Sequence, residues 1–264
     1  MSKILIAIIF AITANLSPAQ SQNTPGIDVY DGFESPELSQ LWSHDRFAPG
    51  AVTMQTNIVR AGHGAAQITV GPREKFEAGR HGDQDSERAE LLEVKKLLAR
   101  ESLSYEQSFS LFIPTNFPIV PTRLVIAQWK QFCPEGENCD DDSPVLAVRY
   151  ISGTLKITQN LNSKHATVLY QETAEFRGRW LDFRFQTRFS SGTNGVVKAW
   201  LGGKPVLDFQ GVTANPENTT TGYPSPGLFY FKTGLYRDVA AGTMTIYLDE
   251  YRKKQLPDNF FDTP

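Results

Sequence analysis

The sequence predicts an all-β fold, a sandwich of two antiparallel sheets, and three observations lead to it. Short runs rich in β-branched and aromatic residues are separated by Gly, Pro, Asn and Asp. Helical periodicity is nearly absent, with one or two turns predicted at 94–100. Many strands at close spacing in a chain of this length are typical of a jelly roll, in which one concave sheet face serves as the ligand groove.

The predicted strands follow one another through residues 20–264 as a single domain. Those at 105–112 and 180–189 alternate cleanly, which predicts one face toward the core and one toward solvent. Glycine-containing segments at 192–195 and 202–203 predict hairpin turns. The full set of predicted strands is 65–70, 88–94, 105–112, 123–130, 145–151, 154–159, 166–171, 180–189, 195–201, 227–236 and 243–251.

The amino terminus has the pattern of a secretory signal over residues 1–19. A positive start at Lys3 is followed by an apolar run from Ile4 to Ile12 and by small residues at 17–19. The apolar run is too short to span a bilayer. We therefore expect a secreted or periplasmic monomer without a membrane partner. The formal net charge of −3 also argues against nucleic acid as a partner.

The two cysteines lie close together, since Cys133 and Cys139 bracket five residues. In an oxidising compartment this spacing predicts a disulfide that closes a short loop. Two cysteines without clustered histidines are weak evidence for zinc.

The strand near the carboxyl end carries an unusual set of side chains. Alternation puts Tyr230, Lys232 and Tyr236 on one face, with Gly234 between them. The missing side chain at Gly234 predicts that a bulky ligand can approach the backbone there. The face suits a polar, anionic ligand better than it suits a core.

Two other predicted strands have polar residues at alternate positions. Arg88 and Glu90 share a face of one strand, and Gln128 and Lys130 share a face of the other. Taken singly, Arg88 and Glu90 also fit a solvated ion pair, Gln128 a surface amide, and Lys232 an edge-strand charge. Taken together with the tyrosine strand, they predict a locally positive surface for a polyanionic sugar.

Three motifs, Arg88-x-Glu90, Gln128-x-Lys130 and Tyr230-Phe231-Lys232-x-Gly234-x-Tyr236, resemble strand motifs of jelly-roll polysaccharide lyases. The likeness is to the glucuronan-lyase and heparin-lyase-I-like branch, related to alginate lyases of the same concanavalin-like fold. It implies β-elimination on a uronic-acid polysaccharide of glucuronan, alginate or heparin type. Lys130 stands where the alginate lyases have a catalytic histidine.

The resemblance also implies roles. Tyr236 would be the acid, while Gln128 and Arg88 would stabilise charge on the substrate carboxylate. His81, placed like a histidine upstream of the arginine strand in glucuronan lyases, is a candidate base, as are Tyr236 itself and Lys130. The predicted substrate-binding residues are Lys130, Lys232, Tyr230, Glu90 and Arg237.

The elimination requires no cofactor, but related jelly rolls hold a structural calcium. Glu34 and Asp249 resemble the carboxylates that bind it, and two ordinary surface acids explain them equally well.

Two other classes of function stay open. A glycoside hydrolase on the same fold would need paired carboxylates, for which Asp83, Asp85 and Glu87 alternate at period two. A solvated acidic loop also accounts for these three residues. A non-catalytic carbohydrate-binding module would use the same groove without an acid and a base.

Overall fold

The protein folds into two stacked antiparallel sheets, as seen in a computed structural model that describes residues 26–72, 86–133, 143–161, 165–216 and 226–262. One turn of 3₁₀ helix lies at Lys95–Leu97. The strands are β1 Asp28–Asp31, β2 Trp42–Ser43, β3 Val52–Gln55, β4 Ala65–Val70, β5 Ser86–Glu93, β6 Ala99–Arg100, β7 Ser104–Ile113, β8 Leu124–Gln131, β9 Leu146–Ile151, β10 Thr154–Gln159, β11 Thr167–Thr173, β12 Arg179–Arg188, β13 Gly195–Leu201, β14 Lys204–Gly211, β15 Leu228–Asp238 and β16 Met244–Gln255.

Within the described ranges, each sheet has eight strands. The first has the order β14-β13-β12-β7-β16-β4-β3, with β1 beside β16. The second has the order β11-β10-β9-β8-β15-β5-β2, with β6 beside β15. Strands far apart in the chain are therefore neighbours in the second sheet, and β15 lies between β8 and β5.

Aromatic side chains fill the space between the sheets. The Trp129 ring on β8 lies 4.6 Å from Phe185 and 4.9 Å from Phe231, centroid to centroid. Its indole Nε1 donates a 2.8 Å hydrogen bond to Oε1 of Gln107 on the other sheet. Because the inner faces of β8 and β15 are packed in this way, the residues that alternate with these aromatics have a rigid support on the outer face.

All eleven predicted strands are present, and those at 65–70, 154–159 and 195–201 have the predicted bounds. The turn between β13 and β14 uses Gly202 and Gly203, both with positive φ as a tight hairpin requires. Five strands of the described chain were not predicted, namely β1, β2, β3, β6 and β14. Strand β14 was missed because its pattern is that of an edge strand. Pro205 opposes Trp200 at a register shift, and Pro is tolerated at a sheet edge, where it need not donate to a ladder.

A β-bulge at Gly234 and Leu235 interrupts the pairing of β15 with β8. Gly234 has φ +138°, and a Cβ there would lie 2.3 Å from the carbonyl oxygen of Ala89 on β5. The glycine is therefore required by close strand packing. This replaces the prediction that its missing side chain admits a ligand.

Candidate active site

The three motifs predicted from the sequence lie side by side on β5, β15 and β8 of the second sheet. In the register, Tyr236 is opposite Arg88, Lys232 is opposite Gln128, and Tyr230 is opposite Lys130. Paired residues point to the same side of a sheet. We call this side, the outer face of the second sheet, the basic face.

The ring of Tyr236 lies beside two guanidinium groups. The Cζ of Arg88 is 4.5 Å from the ring centroid and that of Arg123 is 4.7 Å from it, both within cation–π range. Asp238 holds Arg123, since its Oδ1 is 2.9 Å from Nε and its Oδ2 accepts the backbone N–H at 2.8 Å. These contacts fix the orientation of a phenol that is still partly exposed.

A buried glutamate organises the middle of the basic face. Glu90 is 1% exposed and accepts a short hydrogen bond from Nε2 of Gln128. Nζ of Lys232 donates to its other oxygen at 3.1 Å, and Nη1 of Arg88 is 3.6 Å from that oxygen. Glu90 therefore holds an amide and two cations in fixed positions, as a supporting residue beneath a polar site does.

The charges in this cluster are coupled. Burial alone would raise the pKa of Glu90, but Lys232, Arg88 and the hydrogen bond from Gln128 outweigh it and hold the pKa below its usual range. Burial lowers the pKa of Lys232 to about 7, helped by the neighbouring cations Lys130, Arg88 and Arg46 and opposed by Glu90. Such shifts are typical of functional sites.

Four of the cations on or beside the basic face were missed by the sequence analysis, namely Arg123, Arg46, Arg149 and Lys156. Arg46 precedes β3, and its carbonyl accepts the N–H of Glu90 at 3.0 Å. Arg149 on β9 and Lys156 on β10 are paired in the register, and Arg149 is also opposite Val125 in the row of Tyr236. A single arginine in the apolar run 145–151 was the available signal.

Arg237 lies apart from the basic face. It is 1% exposed on the inner face of β15, and its Nη2 is 2.7 Å from Oε2 of Glu87, which is fully buried. Its guanidinium is therefore turned toward the interior. Glu87, counted above as a candidate hydrolase carboxylate, is occupied by this ion pair.

Several predicted features lie outside the described residues. These are the signal segment 1–19, the candidate base His81, the acidic residues Asp83 and Asp85, and Cys139, the expected partner of Cys133. In the described part of the chain, no helix has the length and apolarity needed to cross a membrane.

Glu34 and Asp249 meet at one loop, where backbone amides already hold them. Asp249 accepts the N–H groups of Arg60, Ala61 and Glu250 at 2.9, 3.2 and 2.7 Å. Both oxygens of Glu34 accept the N–H of His63, at 3.1 and 2.9 Å. Amide N–H groups are not calcium ligands. Among the described residues, no group of three or more His, Cys, Asp or Glu joins these acids, so we derive no step through a metal.

The two stacked sheets and the cations gathered on the basic face define a jelly-roll protein with one positively charged sheet face. The chain belongs to the polysaccharide lyase family, whose model matches residues 28–252. The jelly-roll lyase class predicted from the motifs is thereby confirmed. A comparison with curated proteins found no match.

Solved structures share the fold at low sequence identity. An endo-β-1,4-glucuronan lyase from the fungus Trichoderma reesei matches with a TM-score of 0.65 and 17% identity, over 86% of this chain and 95% of that one. The family 7 alginate lyase A1-II′, in complex with a substrate, matches with a TM-score of 0.56 and 14% identity, over 79% and 83%. The cellulose-induced protein Cip1 matches with a TM-score of 0.56 and 13% identity, over 85% and 96%.

Proposed function

We propose that this lyase is a secreted, monomeric enzyme that cleaves a uronic-acid polymer by β-elimination and releases unsaturated oligosaccharides. The observation that carries the proposal is the placement of the Tyr236 phenol beside Arg88, with the Gln128 amide on the same face, opposite Lys232. A β-1,4-glucuronate polymer is the first candidate substrate, supported by the likeness to a glucuronan lyase. Alginate and then a heparin-type chain follow.

The basic face supplies what the charged substrate needs. The C5–H of a uronate is weakly acidic because the neighbouring carboxylate is ionised. Arg88 and the second N–H of the Gln128 amide would bind that carboxylate and stabilise the enolate-like charge that develops on it. Glu90 already holds the first N–H of the amide, so the second can point to the sugar.

The elimination forms one double bond and needs neither water nor an oxidant. A base removes the proton from C5, the C4–O4 bond breaks as the C4–C5 double bond forms, and the departing O4 takes a proton from an acid. We assign the acid to Tyr236. The base is Tyr236 itself, if C5–H and O4 lie on the same side of the ring, or His81 or Lys130.

The proposed binding surface contains Tyr230 and Lys130, and Lys232 and Glu90 are buried supporting residues beneath it. Arg237 is left out because its guanidinium is buried against Glu87.

The proposal is tested by a panel of glucuronan, alginate and heparin, followed by the ultraviolet absorbance of the unsaturated product. Tyr236→Phe should lower kcat by about 10²–10⁴-fold, the usual contribution of a general acid or base, without loss of folding. New reducing ends without the absorbance would identify a hydrolase, and retention of polymer without cleavage would identify a binding module. Equal rates of the unsaturated product in wild type and variant would refute the role of Tyr236.

A further inference from the structure

Arg149 is a guanidinium on the basic face that no carboxylate neutralises within the described residues. It is partly buried, and Nε donates a 3.0 Å hydrogen bond to Oγ1 of Thr158. The acid near it, Asp238, is already engaged with Arg123. A cation removed from water without a counter-ion is unfavourable. An arginine in this state is suited to bind an anion.

The register aligns Arg149 with the predicted catalytic residue. Lys156, Arg149, Val125, Tyr236 and Arg88 stand opposite one another on five successive strands, from β10 to β5. Neighbouring strands are roughly 4.8 Å apart, so Arg149 lies about 10 Å from Tyr236 along this row. A 1,4-linked sugar advances by about one strand spacing, and Arg149 is therefore a sugar or two away from the reacting bond.

The electrostatics around Arg149 agree with this placement. Burial lowers the pKa of its guanidinium, and the nearby cation Arg123 lowers it further, while Tyr236 and Asp238 oppose the shift. An arginine stays protonated despite such a shift. Its positive charge therefore stays close to that of Arg123, and a bound anion would reduce the repulsion between them.

Resting on the proposed function, we propose that Arg149, with Thr158 and Lys156, forms a carboxylate-binding subsite for a second uronate of the same chain. Its planar group offers two parallel N–H bonds to a carboxylate. Lys156, also without an ion pair among the described residues, extends the subsite by one strand. The substrate class that fits is a polymer with carboxylates on consecutive sugars, in preference to one in which uronates alternate with amino sugars.

The test compares Arg149→Gln with the wild type on polyglucuronate. A lost charged hydrogen bond corresponds to about a ten- to hundredfold rise in KM, with a much smaller change in kcat. Lys156→Gln should raise KM by only about two- to fivefold, as an exposed pair does. Arg184→Gln on the other sheet removes the same charge and should leave both constants unchanged. On a heparin-type chain, Arg149→Gln should change KM little.

A binding experiment separates failure of the subsite from failure of the proposed function. In the Tyr236→Phe background, Arg149→Gln should weaken the binding of polyglucuronate by calorimetry, whether or not wild type cleaves it. Arg149→Lys keeps the charge and should retain most of the binding, which guards against a variant that does not fold. Binding and KM equal to the wild type in a folded Arg149→Gln variant would overturn the subsite. An equal loss on the alternating chain would overturn the inferred substrate class.

Discussion

The strand β5 presents glutamates on both faces, and the two faces treat them differently. On the inner face, Glu87 pairs with Arg237 and Glu93 with Lys253, each at 2.7 Å with both partners at most 2% exposed. On the outer face, Glu90 supports Lys232, Arg88 and Gln128. The inner pairs match one cation to one carboxylate, whereas in the described part of the outer cluster one carboxylate serves two cations.

The comparison separates charges that stabilise the fold from charges that we propose bind the ligand. Each inner pair is neutral as a unit and is buried, so a polymer outside the protein cannot contact it. The described part of the outer cluster has more cations than carboxylates and is partly exposed at Arg88 and Tyr236, where we propose that an anion binds. The inner pairs and the outer cluster use the same residue types, and they differ in burial and in charge balance.

The largest effect that tests this distinction is expected on the inner face. Arg237→Met leaves Glu87 buried without its partner, which should lower the free energy of unfolding by about 3–5 kcal/mol. KM of the folded variant should not change. Chemical denaturation and steady-state kinetics measure the two quantities. A normal stability with a raised KM would show instead that Arg237 contacts substrate, as its sequence position suggested.

On the outer face, Glu90→Gln should act on catalysis more than on stability. Without the carboxylate, the Gln128 amide is no longer held in place, and misplacement of this kind lowers kcat by about ten- to hundredfold. Glu90→Asp, which keeps the charge but shortens the side chain, is the matched control. Its kcat should lie between those of the wild type and of Glu90→Gln. The comparison between the faces would fail if Glu90→Gln unfolded the protein as readily as Arg237→Met.

The pKa of Lys232 predicts how stability depends on pH. Because this pKa is about 7 in the folded protein and higher in the unfolded chain, the unfolded state binds more protons between the two values. Stability should therefore rise as pH increases above about 7, by at most about 1.4 kcal/mol per pH unit from this group. Denaturation of the wild type and of Lys232→Met across this range should show the rise in the wild type only. Parallel curves would contradict the assignment.

The smallest effect is expected at Tyr230, which shares the face of Tyr236 but not its guanidinium neighbours. Tyr230→Phe removes one hydroxyl, and loss of a single neutral hydrogen bond corresponds to about a two- to tenfold change in kcat/KM. Measured beside Tyr236→Phe, it separates a phenol that shapes the surface from one that transfers a proton. An equal loss of kcat/KM in Tyr230→Phe and Tyr236→Phe would show that the two phenols do not have these separate roles.

The sequence predicted the motif strands and their faces well, because alternation depends only on neighbouring residues. It placed Tyr236, Lys232, Gln128 and Arg88 on one surface correctly. The prediction that Arg237 binds substrate was wrong. It rested on Arg237 being next to Tyr236 in the chain, whereas alternation puts the two side chains on opposite faces of the strand.

By itself, the sequence determined the two-sheet architecture and the lyase motifs, since both are written in local patterns of alternation, turns and residue type. Only the tertiary structure decided which strands are neighbours, and with that the complete charge of the basic face. Arg123, which precedes β8, contacts Tyr236, and Arg149 on β9 lies in the same row, both more than eighty residues away in the chain. The bulge at Gly234 and a second register shift between Val125 and Ala127 set this row. Contacts of this range depend on strand order and register, which no local pattern specifies.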